Sequence, residues 1–232
     1  MSRETIRISV RFLIASGATV ALFLAIAAAY FLRRKIWTAA QLWVVSASIA
    51  GLPLHDGDLI FQTSQSAQSV AIQKATGSPY SHMGLVFLRD GQPYVLEASA
   101  TVRYTPLARW VLRGVGHHFV VKRLLDANEV LTPAAVDRLK QSAATLIGRP
   151  YDLTFEWSDD RIYCSELVWK IYDRALGIQI GKLQRIRDFN LTDPVVASVM
   201  KQRYGTAVPL DEPVISPVAM FDSPLLASVT SQ

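Results

Sequence analysis

The chain has 232 residues, half of them hydrophobic, enough to bury a full core with residues left over. Its formal net charge of +5 is scattered, with no zinc-finger spacing and no Arg/Lys stripe interleaved with aromatics. This pattern excludes nucleic-acid binding and suits an anionic surface such as phospholipid or cell-wall polymer. One cysteine allows no internal disulfide; it fits a reducing compartment and equally an exported protein keeping one thiol for chemistry.

From Phe12 to Leu32 no charged residue appears, and about 20 apolar residues suffice to cross a bilayer. Arg3, Arg7 and Arg11 precede the run, and Arg33-Arg34-Lys35 follow it. Ala27-Ala28-Ala29 also offers the small residues of a cleaved signal peptide, although the run exceeds the usual apolar stretch of about 7–15 residues. The favoured expectation is an uncleaved transmembrane anchor within residues 1–35. The basic flanks nearly balance, so charge alone leaves the orientation open. Residues 36–54 carry Thr38, Gln41, Ser46 and Ser48 and read as a connecting or interfacial helix.

A soluble domain is expected over 55–225. Leu59 to Phe61 reads as a short strand, and Ser64 to Ala75 as a helix ended by Gly77. Ser81 to Leu88 and Tyr94 to Ala98 form a hairpin around Asp90-Gly91, a strong short-range turn signal. Phe119 to Leu124 is a further strand. Thr132-Pro133 opens a helix with cap and N1 proline in the favoured order, and Gly148 closes it. Pro150 to Asp160 is a loop, and Cys164 to Leu176 a helix stopped by Gly177. From Gly181 onward, prolines punctuate a segment expected to wrap the core, with 226–232 as a tail. Strands followed by helices indicate an α+β domain with an antiparallel sheet packed on helices.

Cys164, Leu167, Val168, Ile171, Tyr172 and Ala175 recur at helical spacing, which makes one apolar stripe. Glu166 and Lys170 are an i,i+4 pair on the other face. Cys164 thus lies in the first turn, where free N–H groups and the helix dipole stabilise a thiolate and can serve an oxyanion. The plainer reading is a buried cysteine acting as a small hydrophobe. A thiolate nucleophile needs a base, usually histidine, and a third group to orient it. His117 and His118 are adjacent, so a strand would send them to opposite faces, and His55 sits in a turn. His82 begins an apolar strand. With a two-residue turn at Asp90-Gly91, Gly84 lies opposite Glu97. His82 and Glu97 are then diagonal neighbours on one face, roughly 7–8 Å apart at Cα, with Gly84 leaving space between them. Glu97 is thereby a candidate to orient the imidazole, or else a carboxylate on a solvated face.

Gly57-Asp58-Leu59-Ile60-Phe61, Tyr80-Ser81-His82-Met83-Gly84, Leu96-Glu97-Ala98, Gly148-Arg149-Pro150-Tyr151-Asp152, Tyr163-Cys164-Ser165-Glu166-Leu167-Val168 and Val214-Ile215-Ser216-Pro217 together resemble one family. It is the YiiX/YebB-like permuted papain-fold cysteine hydrolases, related to the NlpC/P60 peptidases. The resemblance covers about residues 55 to 225. It implies a circularly permuted papain-like fold, with Cys164 as nucleophile, His82 as base and Glu97 as third polar residue. Ser165, Tyr80 and Tyr163 are the candidates for oxyanion or substrate contacts. No cofactor is implied, and the cysteine and histidine spacing lacks a zinc pattern. The expected activity is cleavage of an amide in a cell-wall peptide or related acyl amide, or else lipid acyl hydrolysis or transfer on the same residues; a third possibility is a binding domain that kept the fold. The expected location is the outer side of a bacterial inner membrane.

Overall fold

The computed structural model describes residues 38–232 without a break, together with residues 24, 27, 28, 30, 32, 33 and 36. Two units divide the chain, 1–48 and 49–232. Every described residue of the first is helical. Among the described residues no helix is long and apolar enough to cross a membrane. The anchor expected over Phe12–Leu32 lies mostly outside them.

In the second unit the strands are β1 (Leu59–Gln62), β2 (His82–Arg89), β3 (Gln92–Ala98), β4 (Val102–Pro106), β5 (Val120–Leu124), β6 (Gln184–Arg185), β7 (Pro213–Val214) and β8 (Leu226–Ser231). The helices are α1 (Ser69–Thr76), α2 (Leu107–Val111), α3 (Ala127–Val130), α4 (Pro133–Ala144), α5 (Cys164–Leu176), α6 (Pro194–Tyr204) and α7 (Pro217–Phe221). Six strands make one antiparallel sheet in the order β4-β3-β2-β1-β5-β8, while β6 and β7 form a small separate ribbon.

The β2–β3 hairpin turns at Asp90 and Gly91, whose φ values of 51° and 73° are the left-handed pair that a two-residue hairpin loop requires. Arg89 pairs with Gln92 and Leu85 with Leu96, the register expected from the sequence. Because side chains alternate, Leu59, Phe61, Met83, Leu85 and Leu96 face one side and pack with α5 in the main core. Gln62, His82, Gly84 and Glu97 belong to the opposite face. Helix α5 packs on β2 and α4. Leu167, Val168 and Ile171 are fully buried, each contributing roughly 1.5–3 kcal/mol, and they fix the height at which Cys164 meets the sheet.

The structure corrects several expectations. Helix α1 starts at Ser69, because Ser64 instead bridges to Gly114. Residues 194–204 form a helix rather than wrapping chain: Asp193 accepts from Val195 N–H and Pro194 occupies the first turn, a start of the same kind as Thr132-Pro133. The strand β4 and the short helix α2 after Val102 were not legible. Residues 226–232 are not a tail, since β8 pairs with β5 and forms an edge of the sheet. Glu166 and Lys170 do pair, at 2.7 Å, but both are buried. Lys170 also donates to Ser158 O and Asp159 of the overlying 150–160 loop and lies over the Trp157 ring.

Candidate active site

Cys164 is the first residue of α5, with Tyr163 at the cap and Glu166 accepting from Tyr163 N–H at 3.3 Å. The backbone N–H groups of Met83 and Ser165 both point at the sulfur. The thiol is therefore held where helix start and strand start converge. His82 opens β2, anchored by its neighbour Ser81, whose hydroxyl bonds Ser64 N–H at 2.9 Å and Ser69 Oγ at 2.6 Å.

Thiol, imidazole and carboxylate come together here. His82 Nε2 lies 2.7 Å from Glu97 Oε2, and the Cys164 thiol lies near enough to the imidazole for each to shift the other's protonation. Glu97 is fully buried, not solvated. Its other oxygen accepts from Thr105 Oγ1 at 2.6 Å and from Arg113 Nη2 at 2.5 Å. The Trp110 ring stacks on the imidazole at 5.8 Å between centroids. Gly84 does not leave the expected gap: a Cβ there would stand 2.4 Å from Val95 Cγ1, so that space is already filled.

Electrostatics follow from this geometry. Burial pushes the His82 imidazolium down, but hydrogen bonds to Cys164 and Glu97 and their charges outweigh it and hold its pKa at about 9. Burial likewise pushes Glu97 up, and His82, Arg113 and Thr105 overcome it to hold the carboxyl at about 2. For Cys164 burial is again opposed, by His82 and by the Met83 and Ser165 N–H groups, and the thiol is lowered from its ordinary range. The favoured form is thus a thiolate–imidazolium pair with an ionised carboxylate behind it.

The tyrosine at the sulfur is Tyr151, not Tyr80 or Tyr163. Gln68 Nε2 donates to Tyr151 Oη at 2.7 Å. Burial, with the nearby Cys164 charge, raises the phenol well above its usual range, leaving it a neutral donor toward the sulfur. Tyr80 instead stacks on Phe221 at 4.2 Å. Tyr163 Oη accepts from Ile215 N–H at 3.0 Å, and Ser165 Oγ donates to Ile215 O at 2.7 Å. These two side chains clamp residue 215, and Ser165 offers the thiol only its backbone N–H. Thr105, Arg113, Gln68 and Tyr151 were missed as site residues. Tyr151 stood in the Gly148–Asp152 motif, but no local periodicity marks it.

Two clefts open at the site. One, with a cavity volume of about 100 Å³, reaches Cys164 between α1, α6 and the 214–217 segment, and its walls include Ile72, Phe155, Phe189, Val196 and Ile215. The other lies beside His82 and is lined mainly by hydroxyls, amides and two arginines. Among the described residues, no three His, Cys, Asp or Glu side chains come together as a metal site. His55 is exposed, and His117 and His118 sit at a 3-10 turn rather than on a strand.

The model of the permuted papain-like amidase family, YaeF/YiiX, C92, matches residues 53–230. The chain belongs to this family. It is 46% identical over 176 residues to an uncharacterised YiiX protein of Escherichia coli strain K12, covering 76% of this chain and 86% of that one. A crystal structure described as metalloprotein YiiX from Escherichia coli O157:H7 has 46% identity and a TM-score of 0.74, covering 77% of this chain and 97% of that one. The permuted papain-like α+β fold is therefore shared with these relatives.

Proposed function

We propose that this protein is a thiol amidase in which Cys164 is the nucleophile, His82 the acid and base, and Glu97 the group that orients and charges the imidazole. The observation that carries this reading is the His82 imidazole, which meets the fully buried Glu97 at 2.7 Å and lies close to the Cys164 thiol. The Cys164 thiolate attacks the amide carbonyl, forming a C–S bond while the carbonyl pair moves to oxygen. The Tyr151 phenol and N–H groups at the start of α5 are the donors available to that oxyanion. Collapse breaks the C–N bond, and the departing amine takes the proton from His82. Water then attacks the thioester, losing its proton to His82, and the acid leaves with the thiol restored.

The apolar cleft at Cys164 favours an acyl chain on the carbonyl side. It supports the acyl-amide form of the substrate, and lipid acyl hydrolysis or transfer as a second reading, over a cell-wall peptide. The uncharged run before Arg33, with its basic flanks, supports an N-terminal membrane anchor. The test is intact-mass detection of an acyl adduct on Cys164 with an N-octanoyl amide, run in parallel with muropeptides and phospholipids. An adduct with the octanoyl amide that is lost in Cys164→Ala is expected. An unmodified thiol with all three substrates would favour a binding domain instead.

A further inference from the structure

The second cleft, beside His82, is more polar than the first, and the two share Gln68, Tyr151 and Arg203 in their walls. Cys164 lines the apolar cleft and His82 the polar one. In an acyl transfer the fragment bonded to sulfur is the acyl group, and the fragment that receives the imidazolium proton is the leaving amine. On the amidase reading, then, the polar cleft holds the leaving side.

Its walls carry unspent hydrogen-bonding capacity. Gln62 is 1% exposed, and among the described residues neither its Nε2 nor its Oε1 has a partner. A buried amide without partners costs free energy that a bound polar group would recover. Gly114 makes room for it, since a Cβ there would stand 2.5 Å from Gln62 Oε1. Ser99 Oγ, on the same cleft, is likewise buried without a partner among the described residues. Gln62 pairs with His82 across β1 and β2, so both side chains leave the same face of the sheet.

The charge in this cleft is of one sign. No Asp or Glu lines it among the described residues. Arg113 is engaged by Glu97, and the thiolate and imidazolium offset each other. Arg203 remains: one nitrogen donates to Gln68 Oε1 at 3.0 Å, the guanidinium lies over the Phe155 ring, and among the described residues no carboxylate meets it. Its other N–H groups are free to take an anion in the planar, two-point manner of arginine.

We propose that the polar cleft is a leaving-group subsite for an amine bearing an anionic group, a carboxylate or a phosphate, bound by Arg203, Gln62 and Ser99. The test is calorimetric binding to the full chain carrying Cys164→Ala, so that nothing turns over. The probes are N-octanoylglycine against N-octanoylglycinamide, and N-octanoyl-phosphoethanolamine against N-octanoylethanolamine. At least one anionic member is expected to bind about tenfold tighter than its neutral twin, the size of one charge-assisted contact, and the pair that responds distinguishes carboxylate from phosphate. Arg203→Gln should bring the ratio toward one. Gln62→Met should weaken the anion without lowering Tm, because it removes a buried amide that has no partner. Ratios near one in both pairs, or a ratio untouched by Arg203→Gln, overturn the subsite. If wild-type protein hydrolyses none of the four while the binding preference stands, the amidase reading falls and the subsite remains. If it hydrolyses all four equally well, the amidase stands and the subsite falls.

Discussion

Replacing Glu97 by glutamine removes one charge at nearly constant shape. The carboxylate accepts from His82, Thr105 and Arg113 at once, and a neutral amide turns an N–H pair toward donors that needed an acceptor. His82 is held at about 9 against an ordinary 6.5, which is ~3 kcal/mol in favour of imidazolium. Burial works against that value, so the anionic partners supply more than the net amount. Without the Glu97 charge the burial cost stays and only the Cys164 contribution opposes it, so the imidazolium pKa should fall well below about 9. The ion pair at neutral pH then shrinks, by about tenfold for each pKa unit lost below neutrality. The assay is the rate of Cys164 alkylation by iodoacetamide against pH, followed by mass spectrometry on protein whose near-UV circular dichroism is native. Wild type should stay reactive well into mild acid, with no rise centred on the ordinary thiol value of 9.0. Glu97→Gln should be slow at neutral pH and climb like a free thiol. Superimposable profiles for the two proteins would refute the reasoning.

Other expectations follow from the same contacts. Glu97 titrates at about 2 when folded and near 4.5 when not, so its stabilisation, ~3 kcal/mol, is complete above pH 4.5 and lost as pH falls toward 2. Calorimetric Tm should drop over that acid range, and the drop should flatten in Glu97→Gln. Tyr151→Phe removes the phenol that Gln68 orients beside the sulfur. It should lower kcat on an octanoyl amide by about 10²-fold with KM little changed, read from steady-state kinetics. Gly84→Ala drives a methyl into Val95, which should cost about 1–3 kcal/mol in urea unfolding; adding Val95→Ala should recover part of it. Ala75→Phe, on the wall of the apolar cleft, should shift acyl preference to shorter chains, measured as kcat/KM across a chain-length series.

The local grammar of the chain determined much by itself. Asp90-Gly91 dictates a left-handed two-residue turn, and that turn alone fixes the β2–β3 register which sets His82 diagonal to Glu97. The apolar stripe from Cys164, closed by Gly177, determines α5 and the thiol's position in its first turn. What lacked a local signature needed the tertiary structure. Arg113 and Thr105 meet Glu97 only because β4 pairs with β3 and the chain after α2 turns back over the sheet. Tyr151 lies near the sulfur on a loop whose path is set by the bridges of Pro150 to Thr101 and of Tyr151 to Ile162, and β8 joins the sheet from the far end of the sequence. Periodicity and turn chemistry act between residues a few positions apart, and so can be read in order along the chain. The charges and hydrogen bonds that tune the thiol act through space between segments distant in sequence, and only packing decides which of them meet.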